Sequence, residues 1–179
     1  MMLLLAYATI LIACAIAISI VYGSWRCGIS PMPSSSLAKC AMLDLLPELQ
    51  EGTIYELGAG WGSLAFPLAD RYPQCQVIAY ELSALPYLFC IVRQIAHPRA
   101  NLTICRKDFR QSNLSGACAI VCYLYPAAME QLEGQISLQL VKSCWIVSNT
   151  FALQHRHPVK TATIADLYNS TIYLYHYVP

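Results

Sequence analysis

Apolar and polar positions along the chain fall into two alternating rhythms. Short apolar runs at residues 53–57, 76–80, 102–106, 117–124 and 144–150 have the length and bounding residues of buried strands. Between and before them, residues 37–49, 63–71, 85–95 and 126–140 carry apolar positions at helical spacing. Ser36 and Ser63 stand where N-caps of the first two helices are expected. Tyr72-Pro73-Gln74 and His97-Pro98 end the second and third helical stretches. Repeated strand–helix units predict an α/β, Rossmann-like, mainly parallel sheet with right-handed crossovers. The most apolar run, 117–124, belongs at its centre. Two strand-like pieces in the tail, 161–164 and 171–178, predict an antiparallel C-terminal hairpin at the edge.

One further apolar run precedes all of these. Residues 3–22 are almost wholly apolar, and the first charged residue is Arg26. The run is long enough to cross a ~30 Å hydrocarbon core as a helix. It lacks the basic start and small-residue exit of a cleavable signal. The expected organisation is a transmembrane anchor over residues 1–25, then a linker and pre-sheet helix over 26–50, then the catalytic domain over 51–179. Arg26 as the first positive flank places that domain in the cytosol, with membrane lipid as the partner of the N-terminal helix.

The segment Tyr55-Glu56-Leu57-Gly58-Ala59-Gly60-Trp61-Gly62-Ser63 concentrates the chemistry. Three alternating glycines follow a strand, so the chain can turn tightly and a ligand can approach main-chain N–H groups. Glu81 stands nineteen residues beyond Gly62, at the end of the second strand. An acid there can accept both hydroxyls of a ribose. The spacing is E-x-G-x-G-x-G rather than the G-x-G-x-x-G of nicotinamide dinucleotide sites. An anionic Glu56 repels a pyrophosphate but suits an ammonium. Asp108, after the third strand, is placed for an adenine amino group. Glu56, Glu81 and Asp108 at three successive strand ends resemble the S-adenosylmethionine site of class I methyltransferases. Dinucleotide binding is the second choice.

Composition narrows the partners. Charged residues make up 12% of the chain and the net charge is +1, with no basic stripe, so nucleic acid is not an expected partner. The low charge points to a membrane or a hydrophobic partner. The 9 cysteines lie mostly in apolar runs, with no C-x-x-C pair, and read as core residues. No zinc-ligand spacing occurs.

Beyond the fourth strand, Tyr123-Leu124-Tyr125-Pro126 faces the position of the transferable methyl group. Tyrosine rings can hold an alkylammonium there. His155 and His157 offer a base near the acceptor, although solvated loop histidines are the simpler reading. Trp61 either covers the cofactor or packs on the linker. Glu130 and Glu133 read as a solvated helix face.

The ordered set Pro31-x-Pro33-Ser34-Ser35, Glu56 to Gly62, Tyr80-Glu81-Leu82, Asp108-Phe109 and Tyr123 to Glu133 resembles the lysine methyltransferases related to the ATP synthase c-subunit and adenine nucleotide translocase enzymes. The resemblance covers about residues 1–150; Trp61 departs from it, as does the tail. It implies a class I fold, S-adenosylmethionine as cofactor, and a lysine of a protein in or near a membrane as acceptor. By it, Glu56, Gly58, Ala59, Gly60, Gly62, Glu81, Leu82, Asp108 and Phe109 bind the cofactor. Pro33 and Ser34 fold over it, and Tyr123, Tyr125 and Pro126 serve catalysis. The alternatives are a methyltransferase for a quinone or lipid head group, and a non-catalytic adenosyl-ligand-binding module.

Overall fold

The computed structural model describes residues 1, 2, 5–7, 9–11, 35–166 and 168–179. Within them, α1 (Ser36–Leu45) leads into β1 (Gly52–Leu57), α2 (Ala65–Arg71), β2 (Cys75–Tyr80), α3 (Ala84–Ala96) and β3 (Leu102–Cys105). A 3₁₀ turn at Phe109–Gln111, β4 (Ala117–Cys122), α4 (Pro126–Gln139), β5 (Cys144–Asn149), β6 (Lys160–Thr163) and β7 (Thr171–Tyr177) complete the order. The strands form one sheet in the order β3-β2-β1-β4-β5-β7-β6. The first five run parallel, and β7 is antiparallel to both β5 and β6. The expected hairpin is therefore present. Its second strand inserts beside β5, leaving β6 at the edge.

Side chains alternate across the sheet and divide the core in two. On one face Ile54, Val77, Ala79, Ala119 and Val121 pack against α1, α2 and α3. On the other, Leu57, Ile120, Cys122 and Ile146 pack against α4. Strands β1 and β4 lie at the middle, buried on both faces over most of their length, which explains the uninterrupted apolar sequence of β4. Both turns back into the sheet are tied by side chains. Tyr72, fully buried, donates its hydroxyl to Pro47 O at 3.1 Å. The Asn101 amide reaches the carbonyls of Ala69, Tyr72 and Cys75 at 3.0–3.1 Å.

Three expectations are corrected. The expected transmembrane helix before the sheet is not supported by the described residues. Among the described residues no helix is long and apolar enough to cross a membrane. The longest, α4 with 14 residues, extends only ~21 Å at 1.5 Å per residue. Most of residues 3–22 lies outside the described residues. Second, α1 is capped by Ser35, whose Oγ accepts from Ala38 N at 3.1 Å, not by Ser36. Third, α2 begins at Ala65 after a turn through residues 60–64, and no side chain caps it. It is one short helix of 7 residues, and Ser63 belongs to the turn.

Asn101→Ala should lower stability by about 1–3 kcal/mol, because it strips one donor group from several carbonyls. Asn101→Asp should do at least as much damage, since a carboxylate would face the same oxygens. Urea unfolding measures both, and an Asp variant as stable as wild type would exclude this account.

Candidate active site

Parallel strands end together, so the residues just after β1, β2 and β4 gather at one edge of the sheet. In-register pairing sets Leu57 beside Tyr80 and beside Cys122. The chain turns at once beyond Leu57. Gly58 N and Ala59 N both donate to Tyr80 O, at 3.0 and 2.9 Å. Gly62 N donates to Ala59 O at 2.9 Å. Gly58, Gly60 and Gly62 all have positive φ. At Gly62 a Cβ would also meet Cys90 Sγ and the Phe66 ring at 3.0 Å, whereas at Gly60 the space is open. The loop needs left-handed backbone at Gly60 and both backbone and room at Gly62.

Two carboxylates stand at this loop, Glu56 lining the cleft it makes and Glu81 bonded to the loop backbone. Glu81 is buried, and its oxygens are satisfied: Oε2 accepts from Gly60 N and Oε1 from Ser83 N, each at 2.7 Å. It thereby braces the glycine loop from the neighbouring strand end. Glu56 is only 4% exposed, and its Oε2 has no hydrogen-bond partner among the described residues. Burial, reinforced by the nearby Glu81 charge, pushes the Glu56 carboxyl up to about 8. The same surroundings push the Cys90 thiol up to about 12, with burial the main cause and the two carboxylates adding to it. Cys90 donates to Gly60 O at 3.3 Å and packs under the loop.

The cleft holds about 370 Å³ not filled by atoms. Glu56, Leu57, Gly58, Ala59 and Gly60 line it from the loop, Met42 from α1, and Cys122 and Tyr123 from the end of β4. Trp61 lines it too. Its indole meets the Phe89 ring of α3 edge-on, with centroids 5.4 Å apart, so it packs on α3. Asp108 stands at the third strand end as expected, but Arg110 engages both of its carboxylate oxygens at 2.6–2.9 Å. It also caps the 3₁₀ turn by accepting from Arg110 N. Phe109 is buried beside it. Leu82 is half-buried next to Glu81, and Tyr125 is the N-cap residue of α4 with Pro126 at its first turn. Pro33 and Ser34 lie outside the described residues.

The other side of the β4 end shows what the sequence reading missed. Glu133, taken for a solvated position, is buried and accepts from Gln154 N and His155 N at 3.0 and 3.1 Å. It pins the loop after β5 to α4. His155 is exposed beside Glu130 and Arg156, in a surface hollow apart from the cleft. Phe151 stacks on Tyr123 with centroids 6.3 Å apart and planes 14° from parallel. An alternation count could have found Glu133, because it follows Met129 and Leu132 on the buried stripe of α4. Among the described residues no group of three metal-ligating side chains gathers, and the described cysteines are free thiols.

A carboxyl that titrates near 8 when folded and near 4.5 when unfolded binds its proton more tightly in the native state. Its contribution is full below pH 4.5 and is lost as pH rises toward 8, by up to ~1.4 kcal/mol per pH unit. Glu56→Gln should remove that slope. The ligand-free variant should be more stable than wild type above pH 8, and the difference should vanish near pH 5. Parallel stability–pH profiles for the two proteins would contradict the assignment. At the glycine loop, Gly62→Ala should destabilise by about 1–3 kcal/mol and more than Gly60→Ala, since only Gly62 adds a clash to the strained φ; denaturant midpoints for the pair decide it.

The family described as the ANTKMT methyltransferase domain matches residues 56–160, more than half of the chain. No curated protein sequence matches. Among solved structures, an RNA methyltransferase from Salinibacter ruber in complex with S-adenosyl-L-homocysteine aligns with a TM-score of 0.71 at 20% identity, covering 83% of this chain and 97% of that one. A precorrin-6y C5,15-methyltransferase from Geobacter metallireducens GS-15 aligns at 0.64 and 15% identity, over 82% and 93% of the two chains. These likenesses show the fold. The residues present also fit the cofactor that the family uses: S-adenosylmethionine carries an ammonium and a sulfonium, and a buried carboxylate oxygen without a partner is a place for a cation. The chain belongs to the ANTKMT methyltransferase domain family and is an S-adenosylmethionine-dependent methyltransferase.

Proposed function

We propose that the protein methylates the ε-amine of a lysine in a membrane-associated protein. The observation that carries this reading is the aromatic Tyr123, which lines the same cleft as the unpartnered Glu56 carboxylate. The family match and the resemblance of Tyr123 to Glu133 to the lysine methyltransferases support the choice of acceptor.

S-adenosylmethionine supplies a methyl group activated on a sulfonium. The chain's own residues hold and orient. Glu56 pairs with the ammonium of the methionine part, and the cation fixes its carboxyl in the charged form. Glu81 still has lone pairs free after bracing Gly60 and Ser83, enough to accept from a ribose diol. Leu82 and Phe109 give the apolar sides for the adenosine. Asp108 contacts the adenine amino group while sharing its oxygens with Arg110. Gly58, Ala59 and Gly60 let the ligand lie against the backbone. Tyr123, with Tyr125 and Pro126 behind it, faces the acceptor and keeps water away from the transfer.

A lysine with a pKa near ~10.4 is only about one part in a thousand neutral at pH 7.4, and only that form is nucleophilic. Among the described residues no side chain at the cleft is an evident dedicated base, so the proton passes to water before transfer. Activity should therefore rise from about pH 7 to 9. Tyr123→Ala should lower the rate more than cofactor affinity, and Tyr123→Phe should retain more activity if the ring face matters. Glu81→Ala should weaken S-adenosylmethionine binding at least about tenfold by calorimetry. Mass spectrometry of membranes reacted with labelled cofactor is the deciding test. Methyl-lysine on protein supports the reading; label confined to a quinone or lipid overturns it.

A further inference from the structure

The residue after the strained end of β5 has no role in holding the cofactor, yet the fold fixes it from both sides. Thr150 has φ +67, a conformation that a β-branched residue adopts only when its surroundings impose it. Its N–H donates to Thr171 O at 2.8 Å, and Phe151 N donates to Asn149 O at 2.7 Å. Two residues on, Leu153 N donates to the Tyr175 hydroxyl at 3.0 Å in a buried contact. Glu133 then takes the N–H groups of Gln154 and His155. A loop held this firmly presents one side chain in one place, and that side chain is Phe151. Its ring is half-buried and continues the surface of Tyr123. Tyr123 lines the cofactor cleft, whereas Phe151 does not. The two rings thus form a wall that starts at the cleft and runs away from it, toward the side from which an acceptor arrives.

We propose that Phe151 is a specificity-determining residue for the methyl acceptor, forming with Tyr123 an aromatic wall along which the acceptor's alkylammonium chain lies. The proposal rests on the lysine reading for the chemistry of that chain, and on the methyltransferase assignment for the rest. Two offset, stacked rings offer their adjoining edges as an apolar strip for methylenes and an outer π-face for a cation. Glu133 acts through the loop, as a positioning residue.

The test uses the full chain. Radiolabelled methyl transfer into a cell extract is followed in protein, lipid and small-molecule fractions separately, and S-adenosylhomocysteine affinity is measured by calorimetry. Phe151→Ala should lower transfer about tenfold and leave that affinity within about threefold; Phe151→Tyr should keep most of the transfer. In a second arm, the S-adenosylhomocysteine-loaded protein with labelled aromatic residues is titrated with n-butylammonium chloride. The ring signals of Tyr123 and Phe151 should shift together, and the Tyr123 shift should disappear in Phe151→Ala. Unchanged transfer in Phe151→Ala overturns the proposal, as does a parallel loss of cofactor affinity or the absence of ring shifts. Label moving to lipid or a small molecule with the same dependence on Phe151 would refute the lysine reading and leave the residue's assignment standing. If no fraction takes up label, the ring shifts alone decide.

Discussion

The arrangement of this protein turns on two buried carboxylates placed at adjacent strand ends. Glu56 and Glu81 end β1 and β2, whose parallel register holds them close whatever else the loops do. Like charges at short range in low dielectric cannot both ionise without a partner. The structure resolves this asymmetrically. Glu81 is given two backbone N–H donors, from Gly60 and Ser83. Glu56 is given none for Oε2 and is left to its burial. Burial raises the Glu56 carboxyl, and its Oε2 is left without a partner among the described residues, which suits the cation that the proposed function assigns to it. Since the Gly60 N–H that Glu81 accepts belongs to the glycine loop, the acid proposed to face a ribose also shapes that turn.

The two faces of the sheet divide the work. Helices α1 to α3 and the core around Phe66, Met42 and Cys90 lie under the glycine loop and support its left-handed turns. Helix α4 and the aromatic residues of β7 lie on the opposite face and support the loop after β5. Tyr123 stands between the two regions, lining the cleft on one side and stacked on Phe151 on the other. Methyl transfer needs its two reactants aligned to within fractions of an ångström. A single residue that touches the walls of both sites ties their positions together through the rigid end of β4.

Reading the sequence recovered the features that repeat or that depend on spacing. Five buried parallel strands appear as apolar runs because both of their faces are covered. Glu56 and Glu81 stand out because acids are rare at the ends of such runs. The hairpin was visible from β-branched and aromatic residues in the tail. What escaped depends on contacts between segments far apart in sequence. Glu133 looks solvated until the loop after β5 folds onto it. Asp108 looks free to meet an adenine until Arg110, two residues later, closes on it with both arms of the guanidinium. Ser63 has the right chemistry for a cap, but three glycines let the chain make an extra turn first, so α2 starts later and shorter. The apolar run at residues 3–22 met a length criterion in sequence, whereas none of the described helices meets it.

The family match ends at residue 160, before β7 begins. The loop after β5 nevertheless depends on β7. Thr171 O holds Thr150, the Tyr175 hydroxyl holds Leu153, and Ile172 pairs with Asn149 at the strained corner. The segment that defines the family therefore contains the cofactor machinery and Phe151 itself, but not the strand against which Phe151 is set. Changing side chains on β7 can move or retilt that ring without touching Glu56, Glu81 or the glycine loop. On the proposed reading, the cofactor cleft can be kept while the acceptor changes, because the cleft and the Phe151 loop are set by different strands, with Tyr123 touching both.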